Sequence, residues 1–207
     1  MNKDKIYVFD TTLRDGAQTE GVDFSIEDKN KIANVLSNIG VDYIEGGWPG
    51  ANPIDTKFFS NPPNIQNSIF TAFGMTKKSG RSADNDPSLA SLINANSSAV
   101  CIVGKTWDFH VKVALGIENN ENLKNIKETA EHFIKNKKEF LFDAEHFFDG
   151  YKANPNYALD CLKQAYDAGA RWIVLCDTNG GTLPNEIREI VTNVSKLIPG
   201  KNLGIHA

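Results

Sequence analysis

Short apolar segments alternate along this chain with longer amphipathic ones. The apolar segments are dense in Val, Ile, Leu and Phe and show little alternation with polar residues, which is typical of parallel strands buried on both faces. Their starts recur at roughly the 30-residue length of a strand–helix unit. The pattern predicts seven strands, at residues 6–10, 43–46, 68–73, 99–103, 139–144, 172–176 and 203–206.

The segments between these strands carry helix signals. Ser25 followed by Asp28 resembles a capping box at the start of the first helix, and Gly40 suits the position after its end. Pro87 and Pro155 fit the first turns of later helices. We expect the first helix to bury an apolar stripe of Ile32, Val35, Leu36 and Ile39.

Seven strand–helix units without a return hairpin indicate either a doubly wound sheet or a TIM (β/α)₈-type barrel. The Gly-x-Gly-x-x-Gly turn of a dinucleotide fold does not follow the first strand, which disfavours the doubly wound sheet. A complete barrel has eight strands. We therefore predict an α/β barrel truncated after about the seventh strand, with residues 1–207 forming one catalytic domain that is incomplete at its C-terminus.

Composition narrows the classes of partner. The 207 residues carry a net charge of −4, so no global basic field attracts nucleic acid. No apolar run approaches the ~20 residues of a membrane-spanning helix. The three cysteines form no Cys-x-x-Cys pair, which favours reduced thiols and a cytoplasmic protein over a disulfide framework or a zinc cluster.

Every predicted strand ends near ionisable or hydroxyl side chains, and in a barrel the chemistry gathers at those ends. Taken singly, several have structural explanations: Asp10 can cap the next turn, and Glu45 can be a buried partner of Arg14. Basic residues after the third strand suit either a solvated loop or a phosphate site. The strand-end residues are Asp10, Arg14, Asp15, Glu45, Thr76, Lys77, Lys78, Lys105, Asp143, Glu145, His146, Asp177, Thr178 and His206.

Several motifs resemble a known group. "DTTLRDGAQ" near the N-terminus and "GIHA" at the seventh strand are similar to the DRE-TIM metallolyase superfamily. "IEGGWPGANP", "GKTWDFHVKVALGI", "FDAEHFFDGYKANP" and "LCDTNGGTLP" resemble its Claisen-condensing branch, which contains citramalate, 2-isopropylmalate and homocitrate synthases. The resemblance extends over the whole chain and implies a TIM barrel.

The resemblance also implies roles for individual residues. Arg14 would polarise the keto oxygen of the substrate, Glu145 would act at the catalytic centre, and Thr178 would contact the 2-oxo acid carboxylate. Asp15 and His206 would bind a divalent metal, for which Mg²⁺, Mn²⁺ and Zn²⁺ all remain open. We predict substrate-binding roles for four residues, which are Gln18, Glu45, Lys105 and Thr178.

The implied activity is acyl transfer from acetyl-CoA to a 2-oxo acid in branched-chain amino-acid biosynthesis, with pyruvate and citramalate favoured. Three alternatives remain open: 2-isopropylmalate or homocitrate synthesis, a lyase or aldolase reaction, and an inactive truncated barrel. Asp143 departs from the aromatic residue that some citramalate synthases have there. We further expect a homo-oligomer, most simply a dimer, because an open barrel exposes strand edges.

Overall fold

A computed structural model describes residues 5–207 as a sheet of seven strands with eight helices between them. The strands are β1 (Phe9–Asp10), β2 (Tyr43–Gly47), β3 (Ile69–Met75), β4 (Ala99–Lys105), β5 (Glu139–Glu145), β6 (Trp172–Cys176) and β7 (Leu203–His206). The helices are α1 (Ile26–Asn38), α2 (Pro53–Ser60), α3 (Pro87–Asn94), α4 (Asp108–His110), α5 (Asn119–Lys135), α6 (Phe147–Ala153), α7 (Pro155–Asp167) and α8 (Pro184–Val194).

The strands follow one another in chain order across the sheet. Pairing is parallel between β1 and β2, β2 and β3, β5 and β6, and β6 and β7. All seven predicted strands are present, and β6 and β7 have the predicted bounds. Parallel pairing places the carboxyl ends of neighbouring strands at one edge of the sheet, as the sequence pattern indicated.

The first strand is shorter than predicted. Only Phe9 and Asp10 form β1, while Ile6 is 86% and Val8 52% exposed. The Val8 carbonyl still accepts hydrogen bonds from the backbone N–H groups of Asp42 and Tyr43, at 3.1 and 3.0 Å. The apolar run therefore approaches β2 without being buried on both faces. For this reason its hydrophobicity predicted a longer strand than the structure contains.

The described residues divide into two compact units, residues 5–74 with 87–101, and residues 75–86 with 102–207. In the first unit, Phe58, Phe59 and Phe70 pack with ring centroids 4.7–6.0 Å apart. Gly46 allows this packing, because a Cβ there would lie 2.5 Å from the Phe70 ring. The prediction of one domain over 1–207, whose first four residues lie outside the described range, stays a prediction.

The second unit has its own aromatic core. Phe133 on α5 stacks on Phe140 of β5 at 6.0 Å, and Phe147 and Phe148 at the start of α6 are fully buried. Asn154 caps α7 by accepting the Tyr157 N–H, and Pro155 occupies the first helical position as predicted. The ring contact packs α5 against β5, and the Asn154 cap fixes the start of α7.

Helix α1 begins as predicted but buries a different face. The Ser25 hydroxyl accepts the Asp28 N–H, and the Asp28 carboxylate accepts the Ser25 N–H, which completes a capping box. The predicted apolar stripe is wrong in part, since Val35 and Ile39 are 59% and 72% exposed. The buried positions of this helix are Lys29, Ala33 and Ser37.

Lys29 is buried because its ammonium group has three partners. Its Nζ donates to the carbonyls of Leu13 and Gly46, both at 2.9 Å, and to Asp55 Oδ1. The side chain is 5% exposed. The Lys29 ammonium group therefore connects helix α1 with the turn after β1, with β2 and with helix α2. At this position a polar contact takes the place of the predicted apolar stripe.

We expect Lys29→Met to lower the free energy of unfolding by about 3 kcal/mol, because it leaves the buried Asp55 carboxylate without its cation. Urea unfolding followed by circular dichroism measures this change. Lys31→Met is the matched control on the exposed face of the same helix, with an expected change within about 0.5 kcal/mol. Equal stability losses for the two variants would contradict the assigned role of Lys29.

Candidate active-site clusters

The turn after β1 presents Arg14 and Asp15. The Thr11 carbonyl accepts the backbone N–H groups of Arg14, Asp15 and Gly16 at 3.1, 2.8 and 3.2 Å, so the chain reverses tightly after the strand. Leu13 is completely buried beneath the turn. As expected, Asp10 caps the segment, because its carboxylate accepts both the N–H and the hydroxyl of Thr12.

Arg14 is held on three sides. Its Nε donates to Glu45 Oε2 at 2.7 Å, its Nη1 donates to Asp15 Oδ1 at 3.1 Å, and the guanidinium lies 3.9 Å from the centroid of the Phe73 ring. Burial lowers the pKa of Arg14, but the adjacent carboxylate of Glu45 and the charge of Asp15 outweigh it and raise the pKa above its usual value. The guanidinium is therefore a fixed positive charge.

A pocket of about 370 Å³ opens beside this guanidinium. Arg14 and Gln18 both line it, together with Trp48 and Asn52. Gln18 is exposed and ends the short 3₁₀ turn that follows Asp15. We call Arg14, Asp15, Gln18 and Glu45 the Arg14 cluster. All four belong to the first unit: Arg14 contacts Glu45 and Asp15, and it lines the pocket with Gln18.

Glu45 is fully buried in this cluster and contacts Arg14. A buried partnership with Arg14 is the structural explanation that the sequence analysis gave as one alternative for Glu45. Its role in substrate binding stays a prediction. The Asp15 side chain is 42% exposed, so a carboxylate oxygen remains accessible from solvent beside the guanidinium.

The second unit places Lys105 and Glu145 in contact at the ends of β4 and β5. The Lys105 ammonium forms an ion pair with Glu145, and the two side chains are 22% and 24% exposed. The Thr106 hydroxyl donates to the Glu145 carbonyl at 2.8 Å, and Asn122 Nδ2 donates to the Lys105 carbonyl at 2.8 Å. These bonds fix the backbone on both sides of the ion pair.

Thr178 lies beside the residue that follows Glu145. Its hydroxyl oxygen accepts the backbone N–H of His146 at 2.9 Å. His146 has a φ of 53°, in the left-handed region, and its Nδ1 lies 3.3 Å from Asp149 Oδ2. Asn179 Nδ2 donates to the same oxygen at 2.9 Å. A non-glycine residue in this conformation is uncommon, and such residues concentrate at functional sites.

Sequence reasoning gave no role to His110 or His146, yet the structure stacks them edge to face with centroids 4.4 Å apart. Burial lowers the pKa of His110, and the nearby charges of His146 and Lys105 lower it further, which favours the neutral imidazole. A π-helical turn, Val111–Leu115, follows directly. The position of His146 right after Glu145 was the one available signal. We call Lys105, His110, Glu145, His146, Asp149 and Thr178 the Glu145 cluster.

A third group lies on β5, β6 and β7. Asp143, Cys176 and His206 each present a ligand atom, and these atoms all lie within 4.8 Å of one another. Cys176 and His206 are direct partners in the parallel register. We call them the His206 cluster.

Asp177, the next strand-end residue, stabilises the loop that follows β6, because its carboxylate accepts the N–H and the hydroxyl of Thr182.

The basic residues after β3 differ in exposure. Lys77 is buried, pairs with Glu128 at 3.0 Å and donates to the Arg81 carbonyl at 2.8 Å. Lys78 and Arg81 are exposed. Lys77 therefore has a structural role, and only the other two have side chains open to solvent.

The predicted site residues fall into both units. Arg14, Asp15, Gln18 and Glu45 belong to the first, and Lys105, Glu145, Thr178 and His206 belong to the second. Binding of one metal ion by Asp15 together with His206 stays a prediction. Of the described helices, none is long and apolar enough to cross a membrane, and all three cysteines are buried thiols that are not in disulfides.

Comparison with known proteins finds a matching family model and relatives that are similar in sequence. A family model described as HMGL-like matches residues 5–207. The (R)-citramalate synthase of Aquifex aeolicus is 52% identical over 206 residues, which are 99% of this chain and 39% of that protein. The 2-isopropylmalate synthase 1 of Caldanaerobacter subterraneus is 32% identical over 200 residues, 96% of this chain and 49% of that protein. The chain thus spans less than half the length of these relatives.

A solved structure has the same fold. The HMG-CoA lyase of Bacillus subtilis superposes with a TM-score of 0.80 at 17% identity, covering 97% of this chain and 67% of that one. At this identity the likeness concerns the fold alone. It confirms the predicted fold class, an α/β chain of the TIM-barrel type with seven parallel strands among the described residues.

Proposed function

This chain belongs to the HMGL-like family, and from that premise we propose that it carries catalytic residues of an acyltransferase that condenses acetyl-CoA with a 2-oxo acid. The observation that carries the proposal is Arg14, a part-buried guanidinium fixed by Glu45 beside an open pocket. We favour pyruvate as the acceptor and citramalate as the product, because identity is higher to relatives named citramalate synthase than to those named 2-isopropylmalate synthase.

Arg14 would stabilise the oxygen that gains negative charge when the carbon–carbon bond forms. Its Nε and Nη1 are engaged by Glu45 and Asp15, so the guanidinium cannot rotate away. A donor held in place before the reaction needs no reorganisation as charge develops. Gln18 lines the same pocket and would contact the bound 2-oxo acid.

Glu145 would remove a proton from the methyl group of acetyl-CoA. A carboxylate that acts as a base must be ionised and positioned within reach of the proton. The Lys105 ammonium supplies a neighbouring positive charge, and the Thr106 hydroxyl holds the Glu145 carbonyl. Both residues remain about one quarter exposed, which leaves room for a substrate.

Thr178 would bind the carboxylate of the 2-oxo acid. Its oxygen accepts the His146 N–H. A hydroxyl that accepts one hydrogen bond can still donate its own proton, and a carboxylate is a strong acceptor for it. The hydrogen bond from His146 thus orients the hydroxyl without using its donor.

A divalent metal, Mg²⁺, Mn²⁺ or Zn²⁺, fits the donors present. Asp15 offers a carboxylate oxygen that solvent reaches, and His206 offers an imidazole nitrogen. When bound, such an ion acts as a Lewis acid that polarises the keto group of the 2-oxo acid. We propose Asp15 and His206 as its ligands.

Turnover by the complete gene product tests the proposal. We expect release of free CoA from acetyl-CoA with pyruvate, and a larger kcat/KM with pyruvate than with 2-oxoisovalerate. A preference for 2-oxoisovalerate would contradict citramalate synthesis and indicate 2-isopropylmalate synthesis as the activity. Cleavage of a hydroxyacyl-CoA without any condensation would replace the transferase with a lyase.

Two further parts of the proposal concern the setting of the enzyme. We propose a cytoplasmic location, in keeping with three buried thiols that are not in disulfides. We also propose a homodimer, since Ile6 and Val8 expose apolar surface beside β1 in the first unit. Sedimentation analysis that showed only monomers would contradict the proposed homodimer.

A further inference from the structure

The proposed function makes no use of the buried ion pair between Lys29 and Asp55. Both residues line the same pocket as Arg14, and their side chains are 5% and 10% exposed. Taking two charges out of water is costly, and a buried ion pair often stabilises a fold no better than apolar residues of similar volume. Stability alone therefore does not explain why the chain places this pair beside the pocket.

Two hydrogen bonds of Lys29 reach the backbone next to the pair formed by Arg14 and Glu45. Its Nζ donates at 2.9 Å to the carbonyl of Leu13, the residue directly before Arg14. The same group donates at 2.9 Å to the carbonyl of Gly46, the residue directly after Glu45. One ammonium group thus fixes the backbone beside both members of the pair, so the place of the guanidinium depends on it.

The partner carboxylate fixes the loop that follows β2. The Oδ1 of Asp55 accepts from Lys29, and its Oδ2 accepts the Trp48 N–H at 2.8 Å and Asn52 Nδ2 at 2.9 Å. Trp48 and Asn52 line the pocket beside the guanidinium. Gly47 has a φ of 138°, and a Cβ there would lie 2.5 Å from the Asp55 carboxylate, so glycine is needed where the carboxylate approaches the backbone.

We propose that Lys29 and Asp55 are positioning residues for the condensation, which hold the Arg14 guanidinium where the substrate oxygen gains negative charge. The inference rests on the proposed function, because it takes Arg14 as the group that stabilises this oxygen. A misplacement of about 1 Å, caused by a change away from the chemistry, can cost about 10²-fold in rate. Lys29 and Asp55 act through Arg14 and not on the substrate itself.

Kinetics of Lys29→Met in the complete protein test this role. We expect kcat and kcat/KM for pyruvate to fall together by about 10²-fold, which is the pattern for weakening an interaction made only in the transition state. Lys77→Met is the matched control, because Lys77 is also buried and forms an ion pair, with Glu128, but lies in the second unit. It should leave kcat of the folded enzyme unchanged.

A double variant separates positioning from stability. Adding Asp55→Asn to Lys29→Met removes the carboxylate charge that the single change leaves buried, and the asparagine oxygen can still accept the Trp48 N–H. We expect the double variant to regain part of the lost resistance to urea but to keep the low kcat. The reason is that no ammonium group donates to the carbonyls of Leu13 and Gly46.

Modification of Arg14 by phenylglyoxal gives a readout that does not depend on turnover. The reagent reacts with guanidinium groups, and peptide mass spectrometry locates the modified arginine. The Arg14 side chain is 12% exposed and is engaged by Glu45 and Asp15, so its modification should be slow in the wild-type protein. We expect several-fold faster modification of Arg14 in Lys29→Met and the wild-type rate in Lys77→Met.

The outcomes separate this inference from the proposed function. A normal kcat in Lys29→Met, a kcat that recovers with stability in the double variant, or an unchanged rate of Arg14 modification would overturn the positioning role. An equal loss of kcat in Lys77→Met would also overturn it, because general destabilisation would then account for both. A wild-type protein without condensing activity, in which Arg14 modification still depends on Lys29, would contradict the proposed reaction and support the positioning of Arg14.

Discussion

Replacing Arg14 with alanine is expected to lower kcat for condensation by about 10²–10³-fold, the usual cost of removing one donor to a developing oxyanion. The same change is expected to reduce the free energy of unfolding by about 3–5 kcal/mol. The stability loss follows from Glu45, which is fully buried and would lose its guanidinium partner. Steady-state kinetics and urea unfolding measure the two effects separately.

Arg14→Lys separates geometry from charge. An ammonium group retains one positive charge but cannot donate in the fixed fork that reaches Glu45 and Asp15 together while stacking on Phe73. We expect kcat to remain well below that of the unmodified enzyme. Recovery of full activity would mean that charge alone is needed at this position.

Two controls make the Arg14 result interpretable. Lys5→Ala removes an ion pair with Asp42 whose lysine side chain is 61% exposed, so its effect on stability should be small. Adding Glu45→Gln to Arg14→Ala removes the uncompensated charge and should restore part of the stability but none of the activity. An Arg14→Ala enzyme with unchanged kcat would contradict the catalytic role.

The strands were the part of the fold that the sequence predicted best. Central strands such as β6 are buried on both faces, so their composition records burial directly. The sequence overstated β1 because the exposure of Ile6 and Val8 depends on what packs beside them, and composition does not contain that information. The buried face of helix α1 was predicted wrongly for a related reason. Lys29 is buried because its partners lie on three other segments, and the periodicity of the helix contains no information about them.

The site was predictable where its residues share a motif. Arg14, Asp15 and Gln18 lie in one short segment, and the structure places Arg14 and Gln18 on one pocket. The contact between His110 and His146 was not predictable, because it joins the end of helix α4 to the residue after β5. The same holds for Asp143, which read as a departure from the family pattern and lies within reach of Cys176 and His206.

The second large effect is expected from Glu145→Gln, which should lower kcat by about 10²–10⁴-fold, the range for removing a positioned general base. Glutamine keeps the shape of the side chain and can still accept a hydrogen bond from Lys105, so folding should be little affected. The measurements are kcat with pyruvate and the exchange of acetyl-CoA methyl protons with D₂O. Both should fall together if Glu145 removes the methyl proton.

Lys105→Met distinguishes the base from its partner. Lys105 forms the ion pair with Glu145, so its loss should lower kcat less than Glu145→Gln does, because the carboxylate itself remains. Glu189→Gln, at an exposed position of α8, is the matched control and should leave kcat and exchange unchanged.

Methyl proton exchange decides what Glu145 does. If Glu145→Gln lowers kcat but exchange continues at its normal rate, another group removes the proton and Glu145 acts later in the reaction. His146 would then be the next base to test, since its imidazole follows Glu145 directly and is oriented by Asp149. If kcat and exchange both stay normal, the Glu145 cluster is not the proton-transfer site, and the catalytic assignment of β5 must be withdrawn.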